Sequence, residues 1–473
     1  MNKKLIGVFL FAAFIRLYNI SYFASYGTET AQHYFEIIRL SQGDIFINGP
    51  LTSHPWLRLG PVVYYLFFPI FYLTRFHPLT LFYTWVTMDI GMILLNYYIA
   101  KKVFNEKIAL LSTIFLALSP LQLLTNRSPG FYNFVIPLSY ILLFSIFKTV
   151  KNKSFPYWPI FLVIGLMINL HASSLFLIPF CIGLGLYLKK ISKSSFFYSL
   201  IAFISPNIPF FISDYFHNFG MTKNLLLWLP YKLYNFFLGR TLGVNRIVVK
   251  DVTFQDIVNF FKTSIFPPSD SSFFGIIVIL LIVSYFFIGK NSRFINIIYL
   301  WLISGVLALF IHKNPPIHYF VPIFILPIVL VSYNLEYLIR NKRTKTVILF
   351  MILYIILSNI FFIFSPKYLF SDRIKMPIDI RYRTQEKISR FIIRDAKGRK
   401  FSISKIGPLD NYVGGSKENY EYLLWWMGNK PVQKSSLHYT VVEDVNRMPN
   451  NIPVNAITRI DNLIIFSSLP HNP

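Results

Sequence analysis

The chain has 473 residues, 54% hydrophobic and 18% aromatic, with only 14% charged and a net charge of +26; its mean hydropathy is +0.51. Soluble domains carry about a quarter charged residues, so this composition excludes an ordinary soluble enzyme. The positive excess does not read as nucleic-acid binding either, because lysine and arginine gather in short loops between apolar runs, as cytoplasmic loops of membrane proteins do.

Met1-Asn2-Lys3-Lys4 precedes an apolar run that Arg16 interrupts and no small-residue cleavage site follows, which predicts an uncleaved first span over 5–22. A polar loop over 21–76 comes next. It holds Tyr26-Gly27-Thr28-Glu29-Thr30-Ala31-Gln32-His33-Tyr34 and then Gly49-Pro50-Leu51-Thr52-Ser53-His54-Pro55-Trp56-Leu57-Arg58-Leu59-Gly60-Pro61. Within it, 60–76 is apolar but short and divided by Pro61 and Pro69. If it crossed the membrane, Lys101 and Lys102 would fall on the outer side, so an interfacial or re-entrant helix is predicted.

Basic clusters at Lys101/Lys102/Lys107, Lys148/Lys151/Lys153, Lys189/Lys190/Lys193, Lys290/Arg293 and Arg340/Lys342/Arg343/Lys345 set the remaining topology. Spans are predicted over 80–100, 108–124, 134–147, 158–170, 173–188, 196–212, 273–288, 294–311, 319–338 and 346–364. The expectation is a mainly α, polytopic membrane protein of about eleven transmembrane helices, N-terminus cytoplasmic. The single cysteine, Cys181, lies in one apolar run and excludes an intramolecular disulfide. A long outer loop occupies 213–272. Beyond residue 365 charge is denser and short alternating segments appear, Lys400-Phe401-Ser402-Ile403-Ser404 and Leu463-Ile464-Ile465-Phe466. Beside them Tyr420-Glu421-Tyr422-Leu423-Leu424-Trp425-Trp426 reads as a helix face. Residues 1–365 thus form a transmembrane domain and 366–473 a small α+β extracytoplasmic one.

Ionisable groups in or beside membrane spans are costly and mark function. The outer face collects Glu29, His33, His54, Arg58, Arg127, His171, Asp214, His217, Lys223, His312, Lys313 and His318, whereas the inner loops are short and basic. Sugar transfer from a lipid-linked phosphate needs a carboxylate to take the acceptor's proton, cations to hold the departing phosphate, and an apolar groove for the polyprenyl chain. Glu29 suits the first task; Arg58, Arg127, Lys223, Arg240 and Arg246 are candidates for the second. Bland readings stand beside these. Thr28-Glu29-Thr30 also fits the first turn of a helix. Arg16 reads equally as a ligand or a snorkelling cation, and His171 as a ligand or a turn residue. Asp89 within a span is expected to pair with a neighbouring helix. His33 and His54 lie too far from any cysteine or paired histidine to read as a metal site.

The order of these features resembles the GT-C glycosyltransferases, and within them the bacterial family 39 group of protein mannosyltransferases and aminoarabinose transferases. The pieces are the Gly49-Pro50-Leu51-Thr52-Ser53 and Leu59-Gly60-Pro61-Val62-Val63-Tyr64-Tyr65 segments, Leu118-Ser119-Pro120 before Asn126-Arg127-Ser128, and Asn169-Leu170-His171-Ala172-Ser173. Asp214-Tyr215-Phe216-His217-Asn218-Phe219 and His318-Tyr319-Phe320-Val321-Pro322 continue the series. The resemblance implies an inverting transfer from a polyprenyl-phosphate sugar to a lipid, glycan or protein acceptor at the outer face of the cytoplasmic membrane. It implies a first-loop acid as base, usually Asp followed by Glu or another polar residue. Here the pair is Thr28-Glu29, so Glu29 is the expected catalytic residue. Arg58, Arg127, His217 and Lys223 are expected to bind donor phosphate or sugar, with Arg16, Thr28, His54, His171, Asp214 and His318 as further candidates. The lipid-linked donor is the substrate; no other cofactor is implied, and a divalent metal stays open. Two other classes fit the composition: a flippase or exporter of lipid-linked sugars, and a polysaccharide polymerase or ligase relying on Arg240 and Arg246.

Overall fold

In the computed structural model the described residues are 3–45, 48–50, 52, 56–152, 154–238, 254–287, 292–312, 316–366, 368–369, 380–407, 417–444, 457–461 and 463–468. The N-terminal part is helical: α1 (Lys3–Leu17), α2 (Ile20–Phe23), α3 (Thr28–Ser41), α4 (Val62–Leu73), α5 (Thr80–Val103), α6 (Glu106–Leu118), α7 (Pro120–Thr125), α8 (Val135–Lys151) and α9 (Trp158–Leu170). It continues through α10 (Leu177–Tyr187), α11 (Lys193–Ile204), α12 (Ile208–Phe216), α13 (Gly220–Leu238), α14 (Phe254–Ile265), α15 (Phe273–Val283), α16 (Arg293–His312), α17 (Ile325–Leu338) and α18 (Lys342–Ile363). Four described helical segments are long and apolar enough to cross a membrane: Phe131–Lys151, Lys193–Phe216, Arg293–His312 and Lys342–Ile363. Ile317–Ile323 with Ile325–Leu338, bent by 54°, makes a fifth if it counts as one span. Val62–Leu73, Trp158–Leu170, Ala172–Tyr187 and Phe273–Phe287 are apolar but shorter.

Burial of charge shows how the bundle is tied together. Arg16 on α1 and Asp89 on α5 are completely buried and meet at 2.6 Å, the inter-helix partnership expected of Asp89. Asp89 also accepts from Gln122 Nε2 at 2.8 Å and Asn126 Nδ2 at 2.7 Å, while Arg16 Nη1 donates to the Ala117 carbonyl at 2.9 Å. Such a pair is tolerable inside because its remaining polar valences are filled.

The chain then ends in α19 (Tyr382–Ala396), β1 (Phe401–Ile406), α20 (Glu418–Trp426), β2 (Leu437–Val442), β3 (Ile457–Ile460) and β4 (Leu463–Ser468). The sheet order is β1-β2-β4-β3. The β1–β2 pair is parallel, Lys405 opposite Val441, and the other two pairs are antiparallel. A parallel pair needs a crossover, which α20 supplies. Strand alternation sends Phe401, Ile403, Leu437, Tyr439 and Val441 into a core with Ile388 and Ile392 of α19.

This C-terminal unit docks on the first loop. Tyr382 N donates to the Ala24 carbonyl at 2.7 Å and Gln385 Nε2 to the Tyr26 carbonyl at 2.7 Å. Tyr422 Oη donates to the Phe76 carbonyl at 2.7 Å, and the Trp426 ring lies 4.9 Å from His77. Tyr422 further packs on Tyr34 and Tyr26, so apolar burial joins the two parts into one core.

Candidate functional site

α3 starts where sequence predicts a helix could: Gly27 is extended at the N-cap, and Thr28 and Glu29 occupy the first turn. That turn borders a cavity of about 350 Å³. Its wall is built by α3, the 128–132 segment, the turn at His171, the Pro316–Tyr319 segment, and Gln385, Lys405, Asn419 and Glu443 of the C-terminal unit. One of the Gly-Pro segments shapes its edge. The Gly49 N–H donates to the Leu59 carbonyl at 3.0 Å and the Leu59 N–H to the Pro50 carbonyl at 2.8 Å, and a Cβ on Gly60 would collide with Asn169, two residues before His171.

Glu29 faces this cavity with its side chain 67% exposed, and Nε2 of His33 stands 3.9 Å from its Oε1. His33 one turn along the helix is the leading cause that holds the carboxyl below its ordinary range, against the desolvation that would raise it. The helix N-terminus favours the same ionised form. His33 Nδ1 is 3.2 Å from Tyr64 Oη, which fixes the ring. Opposite, Tyr132 stacks on His318 at 4.8 Å, and His171 sits edge-on to His318 at 5.3 Å. Burial, reinforced by the neighbouring His318, pushes His171 down to about 3, so this ring is neutral. It caps its own turn, Nδ1 lying 2.7 Å from Ser173 Oγ.

The far wall is polar and shut in. Lys405 Nζ lies 3.2 Å from Glu443 Oε2, with side-chain exposures of 3% and 5%. Lys405 Nζ also reaches Thr28 Oγ1 at 3.3 Å. Asn419 Oδ1 is 3.5 Å from the Thr28 hydroxyl, and Asn419 Nδ2 donates to Gln385 Oε1 at 2.9 Å. Tyr420 Oη donates to Glu443 Oε1 at 3.0 Å. Burial raises the Glu443 carboxyl above its ordinary value, with Lys405 opposing.

The structure therefore gathers Glu29, Thr28, His171 and His318 of the sequence candidates, and sets others apart. Arg16 is consumed by Asp89. Arg127 lies between the Phe23 and Tyr368 rings, at 4.5 and 4.7 Å, rather than along the cavity. Asp214 accepts the N–H groups of Met221 at 2.8 Å and Thr222 at 3.0 Å, at the start of α13. His217 donates to the Ser213 carbonyl at 2.7 Å. His217, Lys223 and Arg58 are exposed and do not line the cavity. His54, Arg240, Arg246 and Lys313 lie outside the described residues. Sequence reasoning did not single out Tyr132, Gln385, Lys405, Asn419 or Glu443. A signal for two of them was present: in strands whose odd positions are apolar, Lys405 and Glu443 continue the inward parity. Among the described residues no group of three or more His, Cys, Asp and Glu is placed to hold a metal.

A second cavity of about 970 Å³ adjoins the first across Leu170, which lines both. Leu66, Phe67, Ile70, Met88, Phe134, Pro137, Leu138 and Ile141 make it a greasy groove between α4, α5 and α8.

No family model and no curated protein matches the chain. Solved structures do. ArnT from Cupriavidus metallidurans bound to undecaprenyl phosphate aligns with a TM-score of 0.61 and 10% identity, over 99% of this chain and 98% of that one. Its apo state gives a TM-score of 0.57 at 10% identity, over 98% and 97%. The Archaeoglobus fulgidus oligosaccharyltransferase tethered with an acceptor peptide containing the NVT sequon gives 0.52 at 14% identity, over 91% of this chain. This chain spans 64% of that longer protein. These neighbours belong to the GT-C superfamily, so the chain has the GT-C fold over nearly its whole length.

Proposed function

We propose that the chain is a membrane glycosyltransferase that moves a sugar from a polyprenyl-phosphate donor to an acceptor hydroxyl or amine. The observation that carries this reading is the position of Glu29. An ionised carboxylate at a helix N-terminus opens into a polar cavity that shares a wall with a large apolar groove. The GT-C fold, and the undecaprenyl phosphate and acceptor peptide bound by two neighbours, support it.

In this mechanism the groove takes the polyprenyl chain and the cavity takes the sugar phosphate. Glu29 accepts the acceptor's proton as the acceptor oxygen or nitrogen attacks the anomeric carbon. The bond from that carbon to the phosphate oxygen breaks with inversion, and the polyprenyl phosphate leaves. Tyr132 and His318 offer stacked faces on which a sugar ring can rest. The eleven-span arrangement, with the cavity and residues 366–473 outside the cytoplasmic membrane, belongs to the same proposal. Transfer from a radiolabelled polyprenyl-phosphate sugar in membranes tests it, comparing the native chain with Glu29→Gln and Thr28→Asp. Loss with Gln and retention or gain with Asp support both the class and the base. Full turnover by Glu29→Gln removes Glu29 from the mechanism. No turnover by any folded form removes the transfer reaction.

A further inference from the structure

The charges that line the cavity leave one requirement unmet by the first loop. A donor phosphodiester carries one negative charge, and the monoester that departs gains another, so a cation must stand where the phosphate sits. Arg127 is held between two aromatic rings, and Arg58 and Lys223 are exposed elsewhere. Among the described residues lining the cavity, Lys405 is the lysine or arginine, and it comes from the C-terminal unit.

We infer that Lys405 is the phosphate-binding cation of this site, delivered to it by strand β1 and held in place by Glu443 and Thr28. The inference rests on the reading of a polyprenyl-phosphate donor. Its physical basis is the cost of the arrangement. Placing an ammonium and a carboxylate at 3% and 5% exposure forfeits hydration that a single 3.2 Å contact does not fully return. The Arg16–Asp89 pair meets the same problem by giving each guanidinium nitrogen and each carboxylate oxygen a partner inside the helical bundle. Lys405 instead keeps its ammonium on a cavity wall, its partners being one carboxylate and the Thr28 hydroxyl beside Glu29. Gly407 leaves room for Glu443, whose Oε2 a Cβ there would crowd at 2.9 Å.

When the sugar phosphate enters, a phosphate oxygen takes a hydrogen bond from Lys405 Nζ and Glu443 keeps its Tyr420 contact. As the carbon–oxygen bond breaks, the new charge on the departing phosphate develops against that ammonium, while the acceptor's proton goes to Glu29. Cation and base thus come from different elements, β1 and α3, and the C-terminal unit completes the site.

The test measures binding of undecaprenyl phosphate and, separately, undecaprenol to the purified full chain in lipid nanodiscs. Variants are Lys405→Met, Glu443→Gln and both together; the double variant leaves no charge stranded in the wall. The native chain is expected to prefer the phosphate. Lys405→Met and the double variant are expected to lose roughly 10- to 100-fold in phosphate affinity with undecaprenol binding unchanged. Glu443→Gln is expected to tighten phosphate binding, because the ammonium loses its competing carboxylate. Native-level phosphate binding by the double variant, or equal weakening by Glu443→Gln and Lys405→Met, would make the pair a structural strut and overturn the inference alone. A native chain that binds the phosphate no better than the alcohol overturns the inference and the donor reading together.

Discussion

Arg16–Asp89 and Lys405–Glu443 are both buried ion pairs, at 2.6 and 3.2 Å, and they serve opposite ends. The first is enclosed: Gln122, Asn126 and the Ala117 carbonyl add hydrogen bonds to it, and neither residue has any exposure. The second stands on a cavity wall and reaches the hydroxyl of Thr28, the residue before Glu29, whose side chain is two-thirds exposed. A closed network spends its charge on holding helices together. An open one keeps charge available to something that arrives. Burial of a charged pair does not by itself separate scaffold from site; whether the pair lines a cavity does.

Asp89→Leu strands Arg16 in the bundle and is expected to cost about 3–5 kcal/mol, read as lost folded yield and a lower melting temperature in detergent. Arg16→Met with Asp89→Leu should recover most of that loss, since no charge is then unpaired. At the cavity, Glu29→Gln is expected to cut transfer by roughly 100- to 10,000-fold while the melting temperature stays at the native value. A melting temperature that fell as far as with Asp89→Leu would erase the distinction between the two regions.

Smaller effects sharpen it. Asp214→Ala removes the acceptor for Met221 and Thr222 N–H and is expected to cost about 1–2 kcal/mol without changing turnover per folded molecule. Lost turnover at full stability would instead extend the site to α13. The remaining effects are in pH. Glu29 sits below the ordinary carboxylate range, so it stays ionised as the medium acidifies and transfer is expected to fail only as pH drops through that lowered value. His33→Phe removes the leading cause and should move the acid limb of the pH–rate profile upward. His171 works through stability. An unfolded histidine takes a proton near pH 6.5, whereas the folded one resists until about 3. The unfolded state therefore binds more protons between these values, and stability present above about 6.5 is lost as pH falls towards 3. Melting temperature against pH, compared with His171→Gln, checks this; an unchanged slope would assign the acid sensitivity elsewhere.

The place of Glu29 in a first helical turn was legible in the sequence because a carboxylate after Gly27-Thr28, at the head of an amphipathic run, is a local signal, and helix starts are local events. Arg127 was not: a cation next to an outer-loop motif reads as a ligand until Phe23 and Tyr368 are seen on either side of it. Asp214 read as a ligand for the same reason, and its helix-start role depends on a turn whose geometry the residues alone do not reveal. Lys405 and Glu443 carried a signal, inward parity on apolar strands, but it pointed only to a buried charge.

The sequence by itself determined the material: apolar runs bounded by basic loops, a polar first loop with one acid at a helix start, and a chemically different C-terminal stretch. These follow from hydropathy, period and charge, which act over one element at a time. The tertiary structure decided which charges meet. Lys405 reaches Thr28 across 377 residues of chain, and that meeting depends on a parallel β1–β2 register and on Tyr382, Gln385 and Tyr422 docking to the first loop. Contacts of that range are set by packing between distant elements, and no local pattern encodes them.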